Sequence, residues 1–183
     1  AVAAGIIWAV DQGAKVINLS LSFRFRSQLL EEAVAAAAKS AVVVAGVGND
    51  GQGDSPRYPA SCPQVLGVGA VDQDGGCAIF SNFNGGELTL VDLVAPGVGV
   101  YSPTPDGGWN AASGTSFSAP FVSASAALLR AYQPEQSPEA IVRHLKKTAS
   151  RQSEFGKHGA FWSHKSRTFR WGMGAWVDYD KGQ

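Results

Sequence analysis

Hydrophobic positions change period several times along this chain, and each change marks an element. Residues 2–12 carry Ile6, Ile7 and Val10 at helical spacing and stop at Gly13, which predicts a helix with those three side chains inward. Residues 15–21 and 41–47 are short, branched, apolar runs of the kind a buried strand needs. Between them, residues 27–39 repeat Leu29, Leu30, Ala33, Val34 and Ala37 on one helical face. Residues 65–71 and 90–94 predict two further strands joined through a turn-rich stretch. Residues 116–132 predict a long helix, and 138–148 another, with Ser137 as N-cap and Pro138 at the first position. Strands alternating with helices predict an α/β fold with a parallel sheet and right-handed crossovers. No internal repeat or flexible linker interrupts the pattern, and residues 150–170 are its least regular part.

Composition fits that picture. A length of 183 residues suggests one domain with a sizeable core. Charged residues make up 16%, below the roughly 25% usual for soluble domains. Small residues are plentiful, and the 22 glycines and many alanines allow elements to pack closely. No apolar stretch approaches the roughly 20 residues that span a bilayer.

Two segments carry chemistry. Gly114-Thr115-Ser116-Phe117-Ser118-Ala119-Pro120 sets a serine in a small-residue turn at the start of the long helix. Backbone N–H groups are unpaired there and the helix dipole favours negative charge, which suits a nucleophile beside a developing oxyanion. Taken alone, Gly-Thr-Ser is also ordinary turn composition. Val42-Val43-Val44-Ala45-Gly46-Val47-Gly48-Asn49-Asp50 reads as a buried strand running into a loop. Asn49 falls at the strand's carboxyl end, where open α/β sheets collect functional groups. Its amide can donate to an oxyanion, or it can simply be a turn residue tolerating a left-handed backbone.

Together these segments resemble the subtilisin-like serine proteases, the subtilases. Val16-Ile17-Asn18-Leu19-Ser20-Leu21 resembles the family's substrate-binding strand, and Gly48-Asn49 its oxyanion segment. Tyr58-Pro59-Ala60, Val65-Leu66-Gly67-Val68-Gly69-Ala70-Val71-Asp72, Phe80-Ser81-Asn82-Phe83 and Val94-Ala95-Pro96-Gly97-Val98 follow its middle portion in order. Gly114-Thr115-Ser116 with Pro120 resembles its catalytic-serine signature. The likeness covers about residues 1–150 and returns faintly at Gly172-Met173-Gly174. It implies a three-layer, parallel-sheet subtilisin-like fold, incomplete at the N-terminus, with 150–170 an insertion.

The resemblance implies roles residue by residue. Ser116 would be the nucleophile. Asn49 would donate to the tetrahedral oxyanion, with the Ser116 backbone N–H as second donor. Ser20, Leu21 and Ser22 would pair with an extended substrate backbone, and Ser22 stands where the family usually has Gly, narrowing the cleft. Gly46, Val47 and Gly48 would form the opposite wall of the pocket for the residue before the cut bond. Arg57 comes just before Tyr58-Pro59, near the floor of that pocket. Pointing inward, it would favour an acidic side chain; pointing outward, it would leave a broad or apolar preference. The family's Met after the serine is Phe117 here, and its common His after the proline is Phe121.

Subtilases carry their triad in the order Asp, His, Ser, in Asp-Ser/Thr-Gly and His-Gly-Thr contexts. Neither motif occurs here. Asp74-Gly75 lies in a turn, His158-Gly159 follows the serine in a polar loop, and His144 falls among basic residues on a helix, where a solvated face is expected. By the resemblance, residue 1 lies in the helix after the family's histidine region. The expectation is therefore the C-terminal portion of a peptidase, essentially inactive alone because a serine without a base is a poor nucleophile. A non-catalytic peptide-binding relative is the alternative. The family implies polypeptide substrates, secretion, no cofactor for the chemistry and, near residues 60–65, a weak structural calcium site using backbone oxygens.

Formal net charge is zero. From 143 to 170, however, eight Lys and Arg face one acid, Glu154, with Phe155, Phe161, Trp162 and Phe169 interleaved. That mixture can bind nucleic acid, although a solvated insertion packing its aromatics on the domain is the reading favoured here. Cys62 and Cys77 flank the 65–71 strand. A bridge closing about 15 residues would stabilise by roughly 3 kcal/mol, and two free thiols are equally compatible with the spacing.

Overall fold

The computed structural model describes residues 1–53, 57–84, 90–151 and 167–168. Its elements are α1 (Val2–Asp11), β1 (Val16–Leu19), α2 (Gln28–Ala37), β2 (Val42–Gly46), β3 (Val65–Val71), β4 (Leu93–Pro96), β5 (Val100–Pro103), β6 (Trp109–Ala112), α3 (Thr115–Tyr132), α4 (Pro138–Thr148), β7 (Ser150–Arg151) and β8 (Arg167–Thr168). Strands β1 to β4 form a sheet in sequence order, every pair parallel. Most of the basic stretch beyond 151, with His158, His164 and Gly172-Met173-Gly174, lies in residues 152–166 and 169–183, outside the described residues.

Three layers follow from how the strands are buried. In β2 and its extension, Val43, Ala45 and Val47 enter one core with Ile6, Leu30, Val34 and Ala37 from α1 and α2. Val42 and Val44 enter the other with Val122, Ala126, Leu129, Ile141 and Leu145 from α3 and α4. A strand covered on both faces must be apolar at every position, which is why 42–47 shows no alternation. In β3 the face opposite Leu66 and Val68 carries Gly67 and Gly69. A Cβ on Gly67 would meet the Leu90 carbonyl at 2.0 Å. The chain at Leu90 and Val91 therefore packs flat against β3, and β4 begins only at Leu93, three residues later than the pattern suggests.

Several side chains depart from the expected faces. Leu29 is 68% exposed and turns toward a groove beside Phe23 and Phe25 instead of joining Leu30 and Ala33. Ile7 is exposed with Trp8, while Ile6 alone on α1 is fully buried. His144 is only partly exposed and its Nε2 is buried, without a partner among the described residues, so it is not on a solvated face. The β5–β6 hairpin is absent from the sequence reading. The Thr104-Pro105-Asp106-Gly107-Gly108 turn was its signal, and Tyr101 and Trp109 stack across it at 5.6 Å.

Cys62 and Cys77 are not joined by a disulfide; Cys62 is buried and Cys77 half-buried. Burial, reinforced by the Glu31 charge, pushes the Cys62 thiol up to about 11.

Two outcomes test this packing. Leu129→Ala removes a side chain buried between α3 and the sheet, and should cost about 2–5 kcal/mol in chemical denaturation. Leu29→Ala should stay within about 0.5 kcal/mol of wild type. Thiol labelling at pH 8 followed by peptide mapping should find Cys77 modified first and Cys62 protected until denaturant is added. Early labelling of Cys62 would contradict its burial.

Candidate active site

Ser116 is the second residue of α3. The helix opens at Gly114, whose φ of 153° and lack of a capping side chain leave the first turn open. Pro120 follows four residues after Ser116 and has no N–H, so the Ser116 carbonyl loses its helical partner. Ser20 fills the vacancy: its hydroxyl donates to the Ser116 carbonyl at 2.8 Å. In return the Ser116 hydroxyl donates to the Ser20 carbonyl at 3.3 Å. Asn18 donates to the Ser20 hydroxyl, and Ser123 donates to Asn18, both at 2.9 Å. This chain of bonds ties the end of β1 to α3. Ser116 is half-buried, and its backbone N–H has no acceptor among the described residues.

Asn49 lies just past β2, against the same helix terminus. Its Oδ1 accepts from the Thr115 backbone N–H at 2.9 Å and from the Thr115 hydroxyl at 3.0 Å. A backbone N–H can only donate, so the atom facing Thr115 must be the oxygen. The Nδ2 donor is thereby turned the other way, toward solvent at the mouth of α3. Close approach makes this possible. A Cβ on Gly46 would meet the Thr115 hydroxyl at 2.9 Å, and one on Gly97 would meet the Ser118 hydroxyl at 2.2 Å. Both glycines let α3 settle onto the strand ends.

Asp50, Arg57 and Asn82 surround the turn that follows. Asn82 is wholly buried. Its Oδ1 accepts from the Asp50 and Gln52 N–H groups at 3.0 and 3.1 Å. Its Nδ2 donates to the Val47 carbonyl at 3.1 Å and to Asp50 at 3.3 Å. Its own N–H donates to the Gly48 carbonyl at 3.0 Å. Gly48 has φ of +101°, and a Cβ there would meet Asn82 Nδ2 at 2.7 Å. Arg57 is turned inward, 5% exposed, with Nε and Nη2 at 2.8 and 2.7 Å from one Asp50 oxygen. Arg24 reaches the other oxygen at 3.3 Å. Burial alone would raise the Asp50 carboxyl. Hydrogen bonds from Arg57 and Asn82, with the Arg57 and Arg24 charges, outweigh it and hold the group below its ordinary value.

The remaining site residues lie on two sides of Ser116. On one side, Leu21 and Ser22 make no backbone hydrogen bond among the described residues, after the ladder with β2 ends at Leu19. On the other, Gly46, Val47 and Gly48 are buried. The Val47 side chain is in the core, and the Gly48 N–H donates to Thr115 at 3.2 Å. An antiparallel bridge between Phe23 and Tyr58, with N–H···O distances of 2.8 and 2.9 Å, joins the two sides. Beyond Ser22 runs an open groove of about 700 Å³ lined by Val2, Phe23, Phe25 and Leu29. The sequence reading missed this groove, and Asn82 as well; exposed aromatics right after the strand were the available signal. Among the described residues no group of three or more His, Cys, Asp or Glu could hold a metal, and no helix is long and apolar enough to cross a membrane.

Residues 1–172 match the Subtilase family. The chain is 39% identical over 160 residues to Subtilisin Savinase of Lederbergia lenta, covering 87% of this chain and 58% of that protein. It is 41% identical over 172 residues to the Thermophilic serine proteinase of Bacillus sp. (strain AK1), covering 92% and 41%. It superposes on the crystal structure of a cold adapted subtilisin-like serine proteinase with a TM-score of 0.79 at 28% identity, covering 91% and 59%. The chain thus spans about half the length of the curated relatives it matches.

The Asp50 cluster yields a pH-dependent outcome. A carboxyl held below its ordinary 3.8 adds stability that is present above that value and lost as pH falls through the folded one. Asp50→Asn should therefore lower the denaturation midpoint at pH 7, with the gap from wild type closing as pH drops below about 4. A gap that stays constant down to pH 2 would contradict the pairing.

Proposed function

The chain belongs to the subtilase family, and on that premise we propose that it supplies the nucleophile and the oxyanion donors of a serine endopeptidase whose Asp and His lie outside residues 1–183. One observation carries the reading. Ser116 N–H and Asn49 Nδ2 have no acceptor among the described residues, and both belong to residues at the α3 terminus, where Asn49 Oδ1 takes the Thr115 N–H.

In the proposed reaction the base draws the Ser116 proton away from the Ser20 carbonyl, a long 3.3 Å contact that is easily given up. The oxygen then bonds to the scissile carbonyl carbon, and the C=O electron pair moves onto oxygen. Asn49 Nδ2 and Ser116 N–H receive that charge, with the α3 dipole adding to them. The C–N bond breaks, the amine leaves with the proton, and water hydrolyses the acyl ester by the same steps. No metal or cofactor takes part in this scheme.

Substrate binding is proposed along the same lines. An extended peptide pairs with the backbone of Ser20, Leu21 and Ser22, of which Leu21 and Ser22 make no backbone hydrogen bond among the described residues, with Gly46, Val47 and Gly48 as the opposite wall. The Phe23–Phe25–Leu29 groove accepts an apolar side chain further along. Arg57 lies under the wall with Asp50 already on its guanidinium, so no preference for an acidic residue before the cut bond is expected. Secretion and a propeptide or N-terminal partner are proposed from the family alone; nucleic acid is not a proposed ligand. Residues 60–65 contain no carboxylate, and the Pro59 and Cys62 carbonyls already accept backbone N–H groups. That donor set fits structural calcium poorly.

A second reading, a non-catalytic module that binds extended peptides, is supported by the Leu21 and Ser22 backbone, which makes no hydrogen bond among the described residues. The test uses the protein as its gene encodes it. The upstream coding sequence should contain Asp-Ser/Thr-Gly and His-Gly-Thr. Ser116→Ala should abolish peptide hydrolysis, and Asn49→Ala should lower kcat about 10²–10³-fold with little change in KM. Cleavage after Leu and Glu should be comparable in a peptide library. Peptide binding that persists without hydrolysis, with the triad motifs replaced upstream, would transfer the lead to the second reading.

A further inference from the structure

Asn49 has a problem that its own bonds do not solve. Thr115 fixes the far end of its side chain, but the backbone beneath it sits in a turn between Gly48, at φ +101°, and Gly51, at φ +64°. Such a turn has few intrinsic constraints. A donor displaced by even about 1 Å loses much of its effect on a transition state. Something must hold residues 47–52 in place.

We propose that Asn82 is the positioning residue for Asn49. The inference rests on the role proposed for Asn49 and goes beyond it. Asn82 hydrogen-bonds the chain on both sides of Asn49 and makes no hydrogen bond to Asn49 itself. On one side it bonds the Val47 and Gly48 carbonyls; on the other, the Asp50 and Gln52 N–H groups and the Asp50 carboxylate. Those contacts engage both donors and the acceptor of the carboxamide, and no other side-chain type offers that set in that volume. The orientation is fixed as well, because the Asp50 and Gln52 N–H groups require an oxygen and the Val47 carbonyl requires a nitrogen.

Asn82 is itself anchored. The Ser81 hydroxyl accepts from the Ala70 N–H at 3.0 Å and donates to the Asn82 carbonyl at 3.1 Å, joining this residue to β3. The rigid sheet is thereby coupled to the turn through one buried side chain. Gly48 is required for the coupling, since a Cβ there would come within 2.7 Å of the carboxamide nitrogen.

The test is a double-mutant cycle on the protein as its gene encodes it, with an activated peptide ester as substrate so that turnover is readable even without a base. Asn49→Ala sets the reference. Asn82→Ala should lower kcat about tenfold to a hundredfold, less than the roughly 10²–10³ for losing the donor itself, with KM within about twofold. The Asn49→Ala/Asn82→Ala double variant should be no slower than Asn49→Ala alone, because a positioning residue has nothing left to position. Additive losses would make Asn82 merely structural and overturn the proposal. No effect of Asn49→Ala would instead remove the reading of Asn49 on which the proposal depends. Hydrogen exchange of the wild type covers the case in which Asn82→Ala fails to fold. The Asp50 and Gln52 amides should exchange slowly as a pair, and rapid exchange at both would also overturn the proposal.

Discussion

The two hydrogen bonds from Thr115 to the Asn49 carboxamide oxygen are the constraint on which the site depends. They cap a helix that has no capping side chain of its own. They also decide which end of the Asn49 amide faces outward. Helix stability and donor orientation are thus the same interaction. Any movement of α3 along the sheet would break the cap and turn the donor at once, so the packing that holds α3 also maintains the chemistry. That packing is supplied by Val122, Ala126 and Leu129 over β2, β3 and β4, and by the close approaches at Gly46 and Gly97.

The same economy appears at Ser116. A proline one turn into a helix ordinarily leaves a carbonyl without its partner. Here the vacancy is answered by Ser20 from the end of β1, which brings the nucleophile beside the backbone proposed to bind substrate. The sheet contributes the other half through β3, where Gly67 and Gly69 let the chain at Leu90 and Val91 lie flat. Strand ends, a helix start and one buried carboxamide converge on a few residues, as open α/β sheets allow at their carboxyl edges.

Much of this was legible in the sequence. The unbroken apolar run at 42–47 announced a strand covered on both faces, and Ser137-Pro138 announced the start of α4 at the observed residue. The placement of Ser116 at a helix start and of Asn49 just past a buried strand was legible because their neighbours are small, for a steric reason that the close approaches at Gly46 and Gly97 make explicit. Leu29 and Ile7 were misread because helical spacing gives a face, not the edge at which that face runs out of sheet. The hairpin at 100–112 escaped because its strands are largely exposed and lack a clear apolar alternation. Asn82 was quoted only as part of a matching segment, since nothing in a sequence says which of several asparagines is buried or what it grips. The same holds for Arg57, whose inward turn could be imagined but whose Asp50 partner could not.

The account stands most directly on the reactivity of Ser116. Treating the protein as its gene encodes it with a fluorophosphonate, and locating the adduct by mass spectrometry, tests it in one step. The account predicts one adduct, on Ser116, lost in Ser116→Ala and slowed in Asn49→Ala. Absence of any adduct on Ser116, in a folded protein that still binds extended peptides, would contradict the catalytic reading and leave a peptide-binding domain in its place.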